Sequence, residues 1–466
     1  MISDKTYSAH CIVSFHSSMW THNKMNIVGP LAKGSPMLER YFQLKAHNTS
    51  VRNEVVGGIT TFLTMAYIIF VNPSILAQAG MDQGAVFVAT CLAAAIGCLI
   101  MGLYANYPIA LAPGMGLNAF FTYGVVLGMG YSWEQALGAV FLSGILFIFI
   151  SIFRIREWVI NAIPSSLKLG IAAGIGLFLA MIALQNSGII VKNPATMVSL
   201  GDLSSPSAIY GLLGFFVICA LSYLNVTGAV MIGILLVTVL SMLFGQNEFG
   251  GLVSAPPSIA PTFLAMDIEG AFQISMLSVI FAFFFVDLFD TSGTLIGVGQ
   301  RGKLLDKDGN LPRLKKALLA DSSATVVGAA LGTSSTTSYI ESASGVAAGG
   351  RTGLTAVVVA LLFLLSLFFA PLAGSIPAYA TAGALMYVAV LMTSSLAHVD
   401  WDDITEAAPV LIAAFTMPLT YSIADGIALS FISYAVIKLL SGQGKKVSLA
   451  VYILAALFIA KFFIFV

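Results

Sequence analysis

Ala110-Leu111-Ala112-Pro113-Gly114-Met115-Gly116-Leu117-Asn118-Ala119-Phe120-Phe121 is apolar enough for a bilayer, yet it cannot be one continuous helix. Pro113 pushes Ala112 toward extended backbone. Gly114 and Gly116 permit close backbone approach. A helix can begin only after them, with Asn118 on its first turn. A second stretch is built the same way. Thr336 to Ile340 is β-branched or aromatic and predicts a short strand. Glu341 stands at the switch to helix, and Gly345, Gly349 and Gly350 follow. Irregular backbone at membrane depth is tolerated only where protein or a water-filled cavity covers it. Short, Gly/Pro-interrupted segments in matching places of two halves point to a transporter site, with two half-helix ends facing one polar pocket.

The rest of the chain supplies those halves. It is 58% hydrophobic and 9% charged, with mean hydropathy +0.95; a soluble domain carries about 25% charge. The fold class is an all-α polytopic membrane protein. A spanning helix needs about 20 apolar residues. Such runs fall at 56–77, 85–105, 133–153, 167–185, 208–224, 229–244, 274–296, 318–332, 354–373, 378–394, 406–420 and 423–440. With the broken segments 108–123 and 336–350 these make about 14 transmembrane segments, read as two inverted seven-span repeats with short strands in broken spans three and ten. A final apolar run, 449–466, either spans or lies along the surface. Residues 1–36 are polar and lack a signal-peptide layout, and are read as a disordered tail or an over-called start. Lys45, Arg52, Arg154, Arg156, Lys168, Arg301, Lys303, Lys307, Arg313, Lys315, Lys316, Arg351, Lys445 and Lys446 fall on one side, which predicts a cytoplasmic N-terminus. Lys192 is the exception, and the acidic connection 400–406 a weaker one.

Net charge is zero, so no nucleic acid partner is implied. Of Cys11, Cys91, Cys98 and Cys219, three sit in apolar runs and read as small buried hydrophobes. No Cys/His spacing suggests a metal, and no cofactor is expected. The chemistry rests on acids at bilayer depth, which are costly and therefore functional candidates. Asp287 and Asp290 are three apart on one helical face, continued by Ser292 and Thr294. Glu341 is the third acid. Each could instead be a structural partner or cap, and Asn118 a cap. Phe120, Phe121 and Tyr339 could pack or stack on a ligand. Three acids without a buried Lys or Arg argue against an anionic substrate and favour a neutral or cationic, planar, hydrogen-bond-donating one. Acids so close cannot all ionise cheaply, which suits coupling to protons; a Na⁺ site of Asp side chains and carbonyls is the alternative.

Four stretches carry a resemblance: Gly58-Ile59-Thr60-Thr61-Phe62-Leu63-Thr64-Met65-Ala66-Tyr67, 112–121, Asp287-Leu288-Phe289-Asp290-Thr291-Ser292-Gly293-Thr294, and Glu341 to Val346 continuing through Gly350-Arg351-Thr352-Gly353. From about Met37 onward the chain resembles the nucleobase–cation symporter family, within the nucleobase–ascorbate transporter superfamily, in its adenine/guanine/hypoxanthine permease branch. The resemblance implies a core domain (37–153 and 271–373) moving against a gate domain (154–270 and 374–466) in elevator-like alternating access. It implies a non-enzymatic importer of a purine nucleobase (adenine, hypoxanthine or guanine) by proton symport. Asp287, Glu341, Asn118, Tyr339 and Phe120 would meet the base; Asp290, with Glu341 and Asp287, would serve proton coupling or support. The expected setting is the lipid bilayer of a plasma membrane, a bacterial inner membrane, with a homodimer as the candidate assembly. Xanthine or uracil as substrate, Na⁺ coupling, a sulfate-type anion transporter and an intramembrane aspartyl enzyme using Asp287 and Glu341 are the competing readings.

Because residues 1–36 are unpatterned and outside the resemblance, a chain starting at Met37 is expected to match the full chain in membrane abundance and uptake; loss of uptake at equal abundance would contradict it.

Overall fold

The computed structural model describes residues 36–152, 163–307 and 311–464. The tail before Pro36 and the basic pair Arg154 and Arg156 lie outside the described residues. Among the described residues nine helices are long and apolar enough to cross a membrane: Val51–Ala77, Gln83–Ala105, Trp133–Ile152, Ser165–Asn186, Pro206–Tyr223, Ile274–Arg301, Gly353–Gly374, Ala378–His398 and Ile423–Leu440. Shorter apolar helices at Met115–Gly128, Ala229–Leu243 and Ile404–Thr420, the helix Leu314–Leu331 and the broken segment around Ser342–Ala347 complete the spans.

The third and tenth spans are the broken ones. β1 (Leu111–Pro113) opens the third. A surface hairpin, β2 (Ile190–Asn193) and β3 (Met197–Leu200), follows the fifth. β4 (Thr336–Ser338) opens the tenth. β1 pairs antiparallel with β4, in the register Leu111↔Ser338, Ala112↔Thr337, Pro113↔Thr336. Two half-spans that meet antiparallel have entered from opposite faces, as inverted repeats require.

Hydrogen bonds at the helix ends define two faces. Arg313 Nη2 donates to Asn106 O at 3.1 Å, Gly353 N to Asn106 Oδ1 at 2.7 Å, and Lys315 Nζ to Ile152 O at 3.1 Å. Ends of spans two, four, nine and eleven therefore share one basic face. On the other face Asp267 N donates to Glu134 O at 2.9 Å and Leu264 N to Ala330 O at 2.8 Å.

Two groups of helices pack mainly among themselves. Spans one, two, four, eight, nine and eleven surround the broken pair; five, six, seven, twelve, thirteen and fourteen form the second set. In the first set close approach depends on glycine. A Cβ at Gly57 would lie 2.9 Å from Gly350 Cα, and one at Gly345 would collide with Thr61 Oγ1 and Gly57 O. Glu54, fully buried, sits beside that contact. Its carboxylate accepts from Thr49 Oγ1 (2.8 Å), Arg351 N (2.9 Å), Thr352 N (3.1 Å), Thr355 N (3.2 Å) and Thr355 Oγ1 (2.7 Å). It thus fills the orphan donors at the start of span eleven. In the second set the acidic connection has its counter-charge: buried Lys438 lies 2.6 Å from Glu406 Oε1 and 3.8 Å from Asp403 Oδ2, and Ser166 Oγ donates to Glu406 Oε2 at 2.5 Å.

The last apolar run forms a helix, Leu449–Ile464. It runs antiparallel to Ile423–Leu440. At the basic face Tyr452 OH donates to Gly444 O at 3.0 Å; midway the rings of Phe431 and Phe458 stand 5.9 Å apart. At the far end Phe458 and Phe462 line a cleft of about 430 Å³ with Met129, Tyr131, Ile274 and Asp425, where span three ends and span eight begins. The helix therefore traverses the bundle rather than lying along one surface.

Two outcomes follow. Glu54→Ala should destabilise the purified protein by roughly 3 kcal/mol, since it strands several buried donors, read as a lower melting temperature in detergent; Glu54→Gln should lose less. Topology reporters inserted at Gln443 and after Val466 should report opposite sides of the membrane; the same side for both would contradict the crossing.

Candidate functional site

The site grows from the β1–β4 pairing. Gly114 N donates to Ser335 O and Tyr339 N to Ala110 O, both at 2.9 Å, extending the ladder beyond the strands. The outer edge of β1 is met by a thiol: Leu111 N donates to Cys98 Sγ at 3.1 Å, and Cys98 Sγ donates to Leu111 O at 3.3 Å. Cys98 is thus more than filler, since it satisfies strand groups that no third strand reaches. Ala110 N donates to Ser342 Oγ at 3.0 Å, which ties β1 to the helical half of span ten.

Below the strands lie the acids. Asp287 is buried against span nine, where its Oδ2 accepts from Thr325 Oγ1 at 3.0 Å; its Oδ1 has no hydrogen-bond partner among the described residues. Asp290 is exposed. Three residues turn a helix by about 300°, so the two acids lie about 60° apart on one stripe, Asp287 on its buried side and Asp290 on its exposed side. Glu341 is half-buried at the start of the span-ten helix, and Tyr67 OH donates to its Oε1 at 2.7 Å. The charges of Asp290 and Glu341 lie close enough to interact, as do those of Asp287 and Asp290.

A fourth acid escaped the sequence reading. Asp321, on span nine, is fully buried; it accepts from Thr291 Oγ1 at 2.8 Å and from Ser338 Oγ at 2.7 Å. Thr291 Oγ1 also lies 2.8 Å from Thr337 Oγ1. One chain of hydroxyls thus joins span eight, span nine and β4, and Asp321 lies within electrostatic reach of Asp287 and Asp290. An acid inside an apolar run is the signal that would have found it.

The remaining candidates are placed as follows. Asn118 is fully buried; its Oδ1 accepts from Ser334 Oγ, while its Nδ2 has no partner among the described residues. Phe120 is fully buried, its ring 4.8 Å from that of Phe283. Tyr339 is buried and its OH donates to Pro113 O at 2.5 Å, a second tie between the broken spans. The structure therefore gathers Asp287, Asp290, Glu341, Asn118 and Tyr339 about one strand pair. Asp290 is exposed and Glu341 half-buried, whereas Asp287, Asp321 and Asn118 are buried. Among the described residues the ion pairs within 4.0 Å are both made by distant Lys438. Such a site can accept hydrogen bonds from a neutral donor-bearing ligand, and it disfavours an anion.

The family model Xan_ur_permease, described as a permease family, matches residues 52–429. Adenine permease AdeP of Escherichia coli is 54% identical over 428 residues, covering 92% of this chain and 96% of that protein. Guanine/hypoxanthine permease PbuG of Bacillus subtilis is 48% identical over 437 residues, covering 91% and 99%. Among solved structures, the transmembrane domain of a cyanobacterium bicarbonate transporter, BicA, superposes with TM-score 0.58 at 16% identity, covering 82% of this chain and 97% of that one. The murine Solute Carrier 26 family member A9 anion transporter superposes with TM-score 0.62 at 11% identity, covering 90% and 74%. These two likenesses are of fold.

Asp321→Ala should leave the Ser338 hydroxyl without its acceptor and Thr291 with Thr337 alone, and cost about 1–3 kcal/mol. Asp321→Asn, which keeps one acceptor oxygen, should lose less; equal melting temperatures for Asp321→Ala and the unaltered protein would contradict the network.

Proposed function

The chain belongs to the nucleobase–ascorbate transporter family, and from that membership we propose that it imports a purine nucleobase together with a proton. The observation that carries the reading is Glu341, a half-buried carboxylate at the strand-to-helix break of span ten, with one oxygen held by Tyr67 and Asp290 close by. A purine offers ring and exocyclic N–H groups that a carboxylate can accept. Likeness to the adenine permease AdeP and the guanine/hypoxanthine permease PbuG, at 54% and 48% identity, supports adenine, guanine or hypoxanthine as substrate.

The mechanism follows from charge. Four acids share one region, and no Lys or Arg among the described residues pairs with them. Ionising all four would set like charges side by side, two of them, Asp287 and Asp321, buried away from water. A proton entering the cluster relieves that repulsion and turns one acid into a donor for a purine ring nitrogen. Its neighbour stays an acceptor for a ring or exocyclic N–H. Protonation and base binding then favour one another, by a reciprocal coupling of typically about 1–3 kcal/mol. Asn118, whose buried Nδ2 has no partner among the described residues, is a further donor beside the strands. Asp287 and Asp290 serve coupling or support.

The two packing groups support a core (37–153 and 271–373) that carries the site past a gate (154–270 and 374–466). In this reading the membrane is a bacterial inner membrane and the basic face is cytoplasmic. A homodimer is the proposed assembly.

Uptake of labelled adenine, guanine or hypoxanthine into purine-uptake-deficient cells tests the function. Uptake should rise as external pH falls from about 8 to 6 and collapse with a protonophore, with or without Na⁺. Glu341→Gln should lower it at least about tenfold at equal membrane abundance, an effect the size of one charge-assisted hydrogen bond. Uptake that follows Na⁺ and ignores the protonophore would replace the proton with a sodium ion; xanthine or uracil winning a competition panel would replace the purine.

A further inference from the structure

Tyr67 sits where the first span breaks, between the helices Val51–Met65 and Ile68–Ala77. The break is a tightened turn: Ile69 N donates to Ala66 O and Phe70 N to Tyr67 O, at 3.1 and 3.0 Å. The ring is 1% exposed, so the hydroxyl must find a partner inside the protein. Many acceptors would serve that need. The one it meets, 274 residues along the chain, is Glu341 Oε1 at 2.7 Å.

A carboxylate has two oxygens and free rotation about its last bond. Held at Oε1 by a buried ring, the Glu341 carboxylate cannot turn freely, and Oε2 is the oxygen that Tyr67 leaves unengaged. We propose that Tyr67 is the positioning residue that sets this orientation, and thereby the residue through which the first span tunes which N–H pattern on a planar base is accepted. The proposal rests on the reading of Glu341 as a ligand for the base. Tyr67 does not touch the substrate. It removes one of two ways in which Glu341 could meet it, so a base presenting an N–H along the Oε2 direction is favoured over an isomer presenting it elsewhere. Loss of the hydroxyl would free the carboxylate to rotate and to exchange Oε1 with water.

The test is Tyr67→Phe, which keeps the ring and removes the donor, assayed for uptake with adenine, hypoxanthine and guanine. KM for the preferred base should rise about tenfold, the worth of one hydrogen bond to a charged group. Vmax should stay within about twofold, and the rank order of the three bases should flatten. In a Glu341→Asp background, whose shorter carboxylate lies beyond the hydroxyl's reach, Tyr67→Phe should change KM by less than about twofold. Wild-type protein that takes up no purine would overturn the functional reading and this assignment with it. Wild-type uptake with an unchanged KM and rank order in Tyr67→Phe would overturn the assignment alone. So would a Tyr67→Phe protein that fails to accumulate or loses Vmax and melting temperature together, since the hydroxyl would then serve folding.

Discussion

Backbone hydrogen bonding in the absence of water is the constraint on which this molecule depends. A strand inside a bilayer has no solvent to satisfy its N–H and C=O groups, so an isolated one is untenable. The chain places two and lets each complete the other: three residue pairs of β1 and β4, extended by Gly114 N to Ser335 O and by Tyr339 N to Ala110 O. Cys98 takes the outer edge of β1. Tyr339 OH and Ser342 Oγ cross-brace the two broken spans. Because the pairing sits at the centre, side chains on either side of it converge, and the acids follow from that convergence.

The acids of this molecule are of two kinds. Glu54 and Glu406 are acids with full complements of partners: backbone amides and hydroxyls for the first, Lys438 for the second. They hold helices together. Asp287 has an oxygen without a partner among the described residues, while Asp290 is exposed and Glu341 half-buried. Buried polar groups normally find partners. The contrast between the two kinds of acid within one chain separates those that fasten helices from those left available for a ligand or a proton.

How much of this is legible in the sequence depends on whether the cause is local. Pro113, Gly114 and Gly116 break span three within a few residues, and Glu341 marks the matching switch in span ten; such signals need no partner to be read. Asp287, Asp290 and Glu341 stand out because the residues around them are apolar. Asp321 obeys the same rule but lies six residues beyond Lys315, with Ser322 and Ser323 after it, and so reads as the polar end of a span. Asp287 and Asp290 share a helical stripe, as their spacing implies, but the spacing does not say how deep each lies: about 60° of helix rotation separates a buried Asp287 from an exposed Asp290. Tyr67 was within a recognisable stretch, yet its role depends on an acid 274 residues away. No periodicity encodes that distance. The glycines at 57, 345 and 350 are alike: in sequence they mark flexibility, while in the fold they mark surfaces pressed together.

The helix Leu449–Ile464 has no counterpart after the seventh span among the described residues, where the chain runs through turns to the short helix Ile268–Ala271. Two inverted units of equal make would leave both ends of the polypeptide on one face. One additional crossing carries the end to the other. The described residues thereby gain a polarity that the internal symmetry lacks: they begin near Tyr41, tied to Leu103 O at the basic face, and end near Ile464 on the other.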